Sequence, residues 1–134
     1  MNEIFLVKLG GSLLTDKTRL ESVRADHLAR LAGEVARADA LARSRGARLI
    51  LGHGSGSFGH AAAAAAGLGR GPLDVNNLAG ASRTQERARA LHALVIGGLL
   101  DAGAAPFSLA PGSLFAASSG ELHAADLAPL DVAL

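Results

Sequence analysis

Large and β-branched apolar residues crowd positions 3 to 9, EIFLVKL, and stop at Gly10-Gly11, a pattern that predicts a buried strand of a parallel sheet. From Ser22 the period changes. Val23, Leu28, Leu31, Val35 and Ala38 recur at helical spacing until Gly46, which predicts a helix of about six turns. ARLILG, 47 to 52, predicts a second strand running straight into the stretch HGSGSFGH, 53 to 60. AAAAAAG, 61 to 67, joins strong helix formers to a glycine stop and predicts a short helix. Residues 68 to 81, LGRGPLDVNNLAGA, show no period and predict a mobile loop. A second long helix is expected from Ser82, where Gln85 completes a capping box, and Ala88, Leu91, Val95, Leu99 and Ala102 form its apolar stripe before Gly103.

Beyond that helix, AAPFSLA at 104 to 110 predicts a third strand, GSLFAASSGELHAADL a loop with a hairpin, and APLDVAL the start of another helix. The order βαβαβ predicts an α/β fold, an open and mainly parallel doubly wound sheet with helices on both faces. Neither an internal repeat nor an interior domain boundary interrupts it. Leu134 falls inside an apolar periodic segment without a cap or polar tail, so a fold truncated at that point is expected.

A chain of 134 residues suits one domain, or part of one, and can bury a core. Thirteen basic residues stand against twelve acidic ones, and the arginines are scattered among Ala and Leu, which argues against a nucleic-acid partner. The absence of cysteine excludes disulfides, thiolate metal sites and a thiol nucleophile. The start MNEIFLVKLGG carries an acid where a signal peptide needs a basic segment, and no apolar run is long enough to span a bilayer. A cytoplasmic protein without a membrane partner is expected.

Chemistry concentrates at the two strand ends, KLGGSLLTDK at 8 to 17 and GHGSGSFGH at 52 to 60. Ligands of open parallel sheets bind beyond the carboxyl ends of the strands, so two glycine loops can face one crevice. Glycine lets backbone N–H groups close on an anion, a following helix adds partial positive charge, and Lys8 and Lys17 add cations. The joint expectation is a site for two phosphates. GSLLTDKT, 11 to 18, is not a P-loop, because Asp16 stands where the second glycine is required. GSGSFG, 54 to 59, matches the dinucleotide-binding pattern, which leaves a dinucleotide-binding module open; the acid expected at the end of the next strand is missing, with Asp74 in an irregular loop instead. A serine-hydrolase elbow fails at both Ser55 and Ser57. His53 at a strand end reads as structural, His27, His92 and His123 lack partner spacing and read as ordinary, and Gly97-Gly98 reads as close helix packing.

Taken together, KLGGSLLTDK, then GHGSGSFGH, then SRTQERARALHALVIGGLLDAG resemble the N-terminal portion of the amino acid kinase superfamily, and within it the isopentenyl phosphate kinase branch. The resemblance covers essentially all of residues 1–134, as the acceptor-binding portion. It implies that Lys8, Gly10, Gly11, Ser12 and Lys17 hold the β- and γ-phosphates of ATP, and that Gly54, Ser55, Gly56, Gly59 and His60 hold the acceptor's phosphate. Lys8, Lys17 and His60 would be the catalytic residues. Ser55 stands where the commoner form of the loop has glycine, which leaves open whether that position takes positive φ. The resemblance implies ATP, Mg²⁺ carried by the nucleotide with no metal site on the protein, and a small phosphorylated acceptor. The adenine pocket and an organising aspartate would lie in a C-terminal nucleotide-binding half absent from this chain, which alone is expected to be inactive. The reaction implied is phosphorylation of isopentenyl phosphate to isopentenyl diphosphate for isoprenoid synthesis. A fosfomycin-type phosphonate or phosphate kinase shares the closing histidine and stays open, as does a homodimer.

Overall fold

A computed structural model describes residues 3–69 and 73–134. β1 (Ile4–Leu9) and β2 (Arg48–His53) pair in parallel, in unbroken register from Ile4 opposite Arg48 to Leu9 opposite His53. A parallel pair needs a crossover, and α2 (Ala25–Ser44) supplies it, ending where Gly46 takes φ +74°. The short α1 (Gly11–Leu14) follows β1, and α3 (Gly56–Ala65) follows β2. After α4 (Leu78–Asp101) come α5 (Pro111–Leu114), an antiparallel hairpin of β3 (Phe115–Ser118) and β4 (Glu121–Ala125), and α6 (Ala128–Ala133).

The helical stripes read from the sequence form the core. Leu28, Leu31 and Ala32 of α2 meet Val95 and Leu99 of α4 over Leu9 and Leu14. Gly98 lets the two helices close: a Cβ added there would lie 3.4 Å from the Leu28 side chain. An apolar crevice between sheet and helix, lined by Val7, Leu9, Leu31, Val35 and Leu49 among others, extends this contact.

Several expectations need correction. Within β1 only Leu9 is buried, and Leu6 is 77% exposed, because β2 is its one strand neighbour among the described residues. Residues 104–110 pair with no strand among the described residues; Pro106 lacks the N–H a ladder needs. α3 begins at Gly56, five residues before the alanine run, so the glycine stretch forms its first turn. α4 begins at Leu78 and not at Ser82, because a turn ahead of it does the starting. There the Asp74 carboxylate accepts from the N–H groups of Asn76 and Asn77, and the Asn77 side chain accepts from the Asp74 N–H. Ser82 instead donates its hydroxyl back to the Leu78 carbonyl. Residues 70–72 of the expected mobile loop lie outside the described residues. The hairpin and the final helix match expectation.

Candidate active site

The two glycine stretches leave the same end of the sheet and touch. A Cβ on Gly11 would come within 2.5 Å of the Gly56 amide nitrogen, so bare backbone at Gly11 lets α1 and α3 start side by side. Gly56 takes φ +52°, which favours glycine, whereas Ser55 sits at φ −76° and needs no special freedom. The departure at Ser55 is therefore accommodated.

Thr15, fully buried, joins the loops. Its hydroxyl donates to the Gly11 carbonyl at 2.8 Å and accepts from the Ser57 N–H at 3.0 Å. Sequence reasoning missed this residue, since the Ser57 contact spans 42 positions. After Thr15 the chain makes an excursion closed at its base by the Thr15–Val23 bridge and by Arg24 N–H donating to the Leu14 carbonyl. Asp16 shapes it, accepting from both the N–H and the hydroxyl of Thr18. Those bonds, with the side-chain one foremost, hold its carboxyl below the usual carboxylate range. Further along, Glu21 pairs with Arg87 of α4 at 2.8 Å.

This excursion forms one wall of a cleft of about 360 Å³. Lys17, Thr18, Arg19 and Leu20 line it from one side; Gly56, Ser57, His60 and Ala61 of α3 line it from the other. The Ser57 hydroxyl is buried in that wall and has no hydrogen-bond partner among the described residues. Groups of this kind carry a desolvation cost that a ligand's oxygen would remove. The amides of Ser55 and Gly56 likewise carry no protein partner among the described residues, at the positive end of the α3 dipole. Two cations, a histidine, a hydroxyl and a helix N-terminus converge on one space. That is a donor set for a phosphate.

Of the residues singled out from the sequence, Lys17, Gly56 and His60 meet in the cleft. Gly59 is buried in the first turn of α3, packed under the Ser55 side chain. Lys8 is exposed near the end of β1 opposite Gly52, at the same end of the sheet but outside the cleft lining. Gly10 precedes α1 and Ser12 is exposed on it, while the Gly54 N–H donates to the Leu9 carbonyl. Arg19 and Ser57 also line the cleft without having been singled out from the sequence as site residues. Arginine beside a lysine in a short polar stretch was the available signal for Arg19. Behind the loop, the rings of His53 and His92 meet edge to edge, nearly coplanar at 16° with centroids 5.2 Å apart, although no common spacing marks them in the sequence. Burial first, and then the neighbouring His53, holds His92 below the usual imidazole range.

Residues 3–132 match the amino acid kinase family. Isopentenyl phosphate kinase of Methanothermobacter thermautotrophicus is 30% identical over an alignment of 129 residues that covers 92% of this chain and 46% of that protein. Among solved structures, an isopentenyl phosphate kinase superposes with a TM-score of 0.83 at 29% identity, covering 97% of this chain and 53% of the other. The product complex of the T. acidophilum isopentenyl phosphate kinase superposes with a TM-score of 0.78 at 25% identity, covering 98% and 50%. This chain thus spans about half the length of the relatives it matches. With its α/β fold, its two glycine loops and a family match along nearly its whole length, the chain belongs to the amino acid kinase family.

Proposed function

We propose that this chain is the acceptor-binding portion of an ATP-dependent kinase that converts isopentenyl phosphate to isopentenyl diphosphate in the cytoplasm. The observation that carries the reading is the cleft in which Lys17, Arg19, His60 and the unpartnered Ser57 hydroxyl surround one space, beside the apolar Leu20 and Ala61. The polar groups suit a phosphate, and the apolar pair suits a short hydrocarbon. Similarity to isopentenyl phosphate kinases over more than nine-tenths of the chain supports the choice of acceptor.

Phosphoryl transfer asks a protein chiefly to position two phosphates and to stabilise charge on their oxygens. In this reading the acceptor's phosphate rests on the N-terminus of α3, receiving bonds from the Ser55 and Gly56 amides, the Ser57 hydroxyl and His60. The nucleotide's terminal phosphates lie over the first loop, at Gly10, Gly11 and Ser12, with Lys8 beside them. Lys17 stands between the two and follows the charge as it moves. An acceptor phosphate oxygen attacks the γ-phosphorus, and the bond to the β-phosphate oxygen breaks with its electron pair leaving on ADP. An ionised acceptor has no proton to lose in this step. The cleft's cations and N–H groups fit phosphate oxygens and not a bare divalent cation, so Mg²⁺ would arrive on the nucleotide's own oxygens.

The test is steady-state kinetics on the complete protein with isopentenyl phosphate, fosfomycin and a panel of other monophosphates. Isopentenyl phosphate should give the highest kcat/KM. Lys17→Ala and His60→Ala should each lower it about 100-fold or more, a loss of about 3 kcal/mol of barrier stabilisation. Turnover of the panel within a few-fold of wild type in both variants would remove the cleft from the reaction.

A further inference from the structure

The hydrogen bonds behind the second glycine loop fix the positions of protons that no sequence pattern marks. His53 Nδ1 lies 3.2 Å from the Gly54 carbonyl oxygen, His53 Nε2 lies 2.9 Å from His92 Nδ1, and His92 Nε2 lies 2.5 Å from Ser108 Oγ. A carbonyl only accepts, so His53 must carry its proton on Nδ1. In the neutral ring its Nε2 is then a bare acceptor, and His92 must donate from Nδ1. That leaves His92 Nε2 as an acceptor for the Ser108 hydroxyl. A neutral chain of bonds can run in one direction here, from Ser108 through His92 and His53 to the Gly54 carbonyl.

We propose that His92 and Ser108 are positioning residues for the second glycine loop, acting through His53 on the peptide that joins Gly54 to Ser55. Gly54 is anchored on both sides of its Cα. The N–H of the preceding peptide donates to the Leu9 carbonyl, and the carbonyl of the Gly54–Ser55 peptide accepts from His53 Nδ1. Because a trans peptide is planar, fixing its carbonyl fixes the direction of the Ser55 N–H, which points the opposite way. The Ser55 amide is one of the donors at the start of α3 that have no partner among the described residues. The relay therefore ties the aim of a phosphate-binding amide to α4, which carries His92, and to the segment after it, which carries Ser108. The inference rests on the reading of this loop as a phosphate site only for its consequence, not for its geometry.

Two measurements on the ¹⁵N-labelled 134-residue chain at pH 8 separate those parts. Long-range ¹H–¹⁵N correlation of the imidazoles should show both His53 and His92 as Nδ1–H tautomers, the minor form of free histidine. His92→Ala should release His53 to the ordinary Nε2–H form and shift the Ser55 and Gly56 amides, with the remaining amide spectrum preserved. His92→Asn, whose side-chain amide can stand in for Nδ1–H, should bring both signals back towards wild type. An Nε2–H tautomer at His53 in the wild type, or loop amides that ignore His92→Ala, would overturn the relay. Titration with inorganic phosphate, read on the Ser55 to Gly59 amides, forms the separate arm. Wild type should bind it, and His92→Ala should bind about fivefold more weakly, the effect of one lost hydrogen bond. If the tautomers and amide shifts appear as expected and phosphate leaves the wild-type amides unmoved, the relay stands and the phosphate reading of the loop falls.

Discussion

Replacing Thr15 by valine removes one hydroxyl and almost nothing of the side chain's shape, and the two contacts of that hydroxyl set the expected cost. The Gly11 carbonyl loses the side-chain bond but keeps the Thr15 N–H at 2.9 Å. The Ser57 N–H has no such reserve. It donates to Thr15 Oγ1 inside a wall where Thr15 is fully buried and Ser57 is 9% exposed, so valine leaves a buried donor facing a methyl group. An orphaned buried donor costs about 1–3 kcal/mol, and about 2 kcal/mol is the expected loss. Thr15→Ser keeps both bonds and loses one methyl, for about 1 kcal/mol. The less conservative shape should therefore be the more stable variant. Urea unfolding of both chains, followed by circular dichroism, measures the order directly; at this chain length the valine variant's midpoint on heating should fall by roughly 8 °C. Exchange of the Ser57 amide with solvent should quicken by about 30-fold in the valine variant wherever local opening governs it. A valine variant as stable as wild type, or more stable than the serine variant, refutes the claim that Thr15 welds the loops.

Gly56→Ala should destabilise by at least about 1–3 kcal/mol, because φ +52° disfavours any Cβ and the Thr15 side chain occupies the space; differential scanning calorimetry reads the loss. Arg19→Ala should weaken binding of a monophosphate by about tenfold while leaving the unfolding midpoint within error, as isothermal titration and urea curves would show. Acid should loosen the fold through His92. Its folded pKa is depressed below the ordinary 6.5, so the unfolded chain takes up the proton first, and the contribution present above about pH 6.5 is lost as pH falls through that value. Its hydrogen-bond partners among the described residues are His53 of β2 and Ser108, neither of them an acid that would offset the loss. Urea midpoints compared at pH 7.5 and 5.5 should drop more for wild type than for His92→Asn; equal drops would exclude His92 as the source. The 134-residue chain by itself should show no ATP-dependent turnover in a coupled ADP assay, and sustained turnover would overturn its reading as an acceptor-binding portion.

What could be read from the chain in advance follows the range of the interactions involved. β1, β2, the bodies of α2 and α4, and the hairpin rest on local periodicity and turn residues, and each was legible. The glycine loops were legible as motifs, and Lys17 with His60 were named because each adjoins one. Thr15 and Ser57 were not, because a threonine after a short apolar run has no local mark of its long-range task. The start of α4 was misplaced because two devices compete within eight residues, and the paired turn at Asp74 and Asn77 prevails over the Ser82 box. Strand character at 104–110 failed for another reason. Apolar residues make a strand only when a neighbouring backbone accepts the ladder, and that is a property of the sheet and not of the segment.

The unbroken register of β1 on β2 makes the cleft a readout of folding fidelity. Leu9 stands opposite His53, so both glycine loops depart from matched positions. A slip by one residue would carry one loop about 3.3 Å past the other and turn its side chains to the opposite face. An anion held by both loops can therefore bind one alignment and no other. By mass action such a ligand stabilises that alignment, by about 2.7 kcal/mol when its concentration is about 100 times its dissociation constant. In a solution rich in such an anion the ligand then acts as a template, selecting among chains the ones whose strands have aligned.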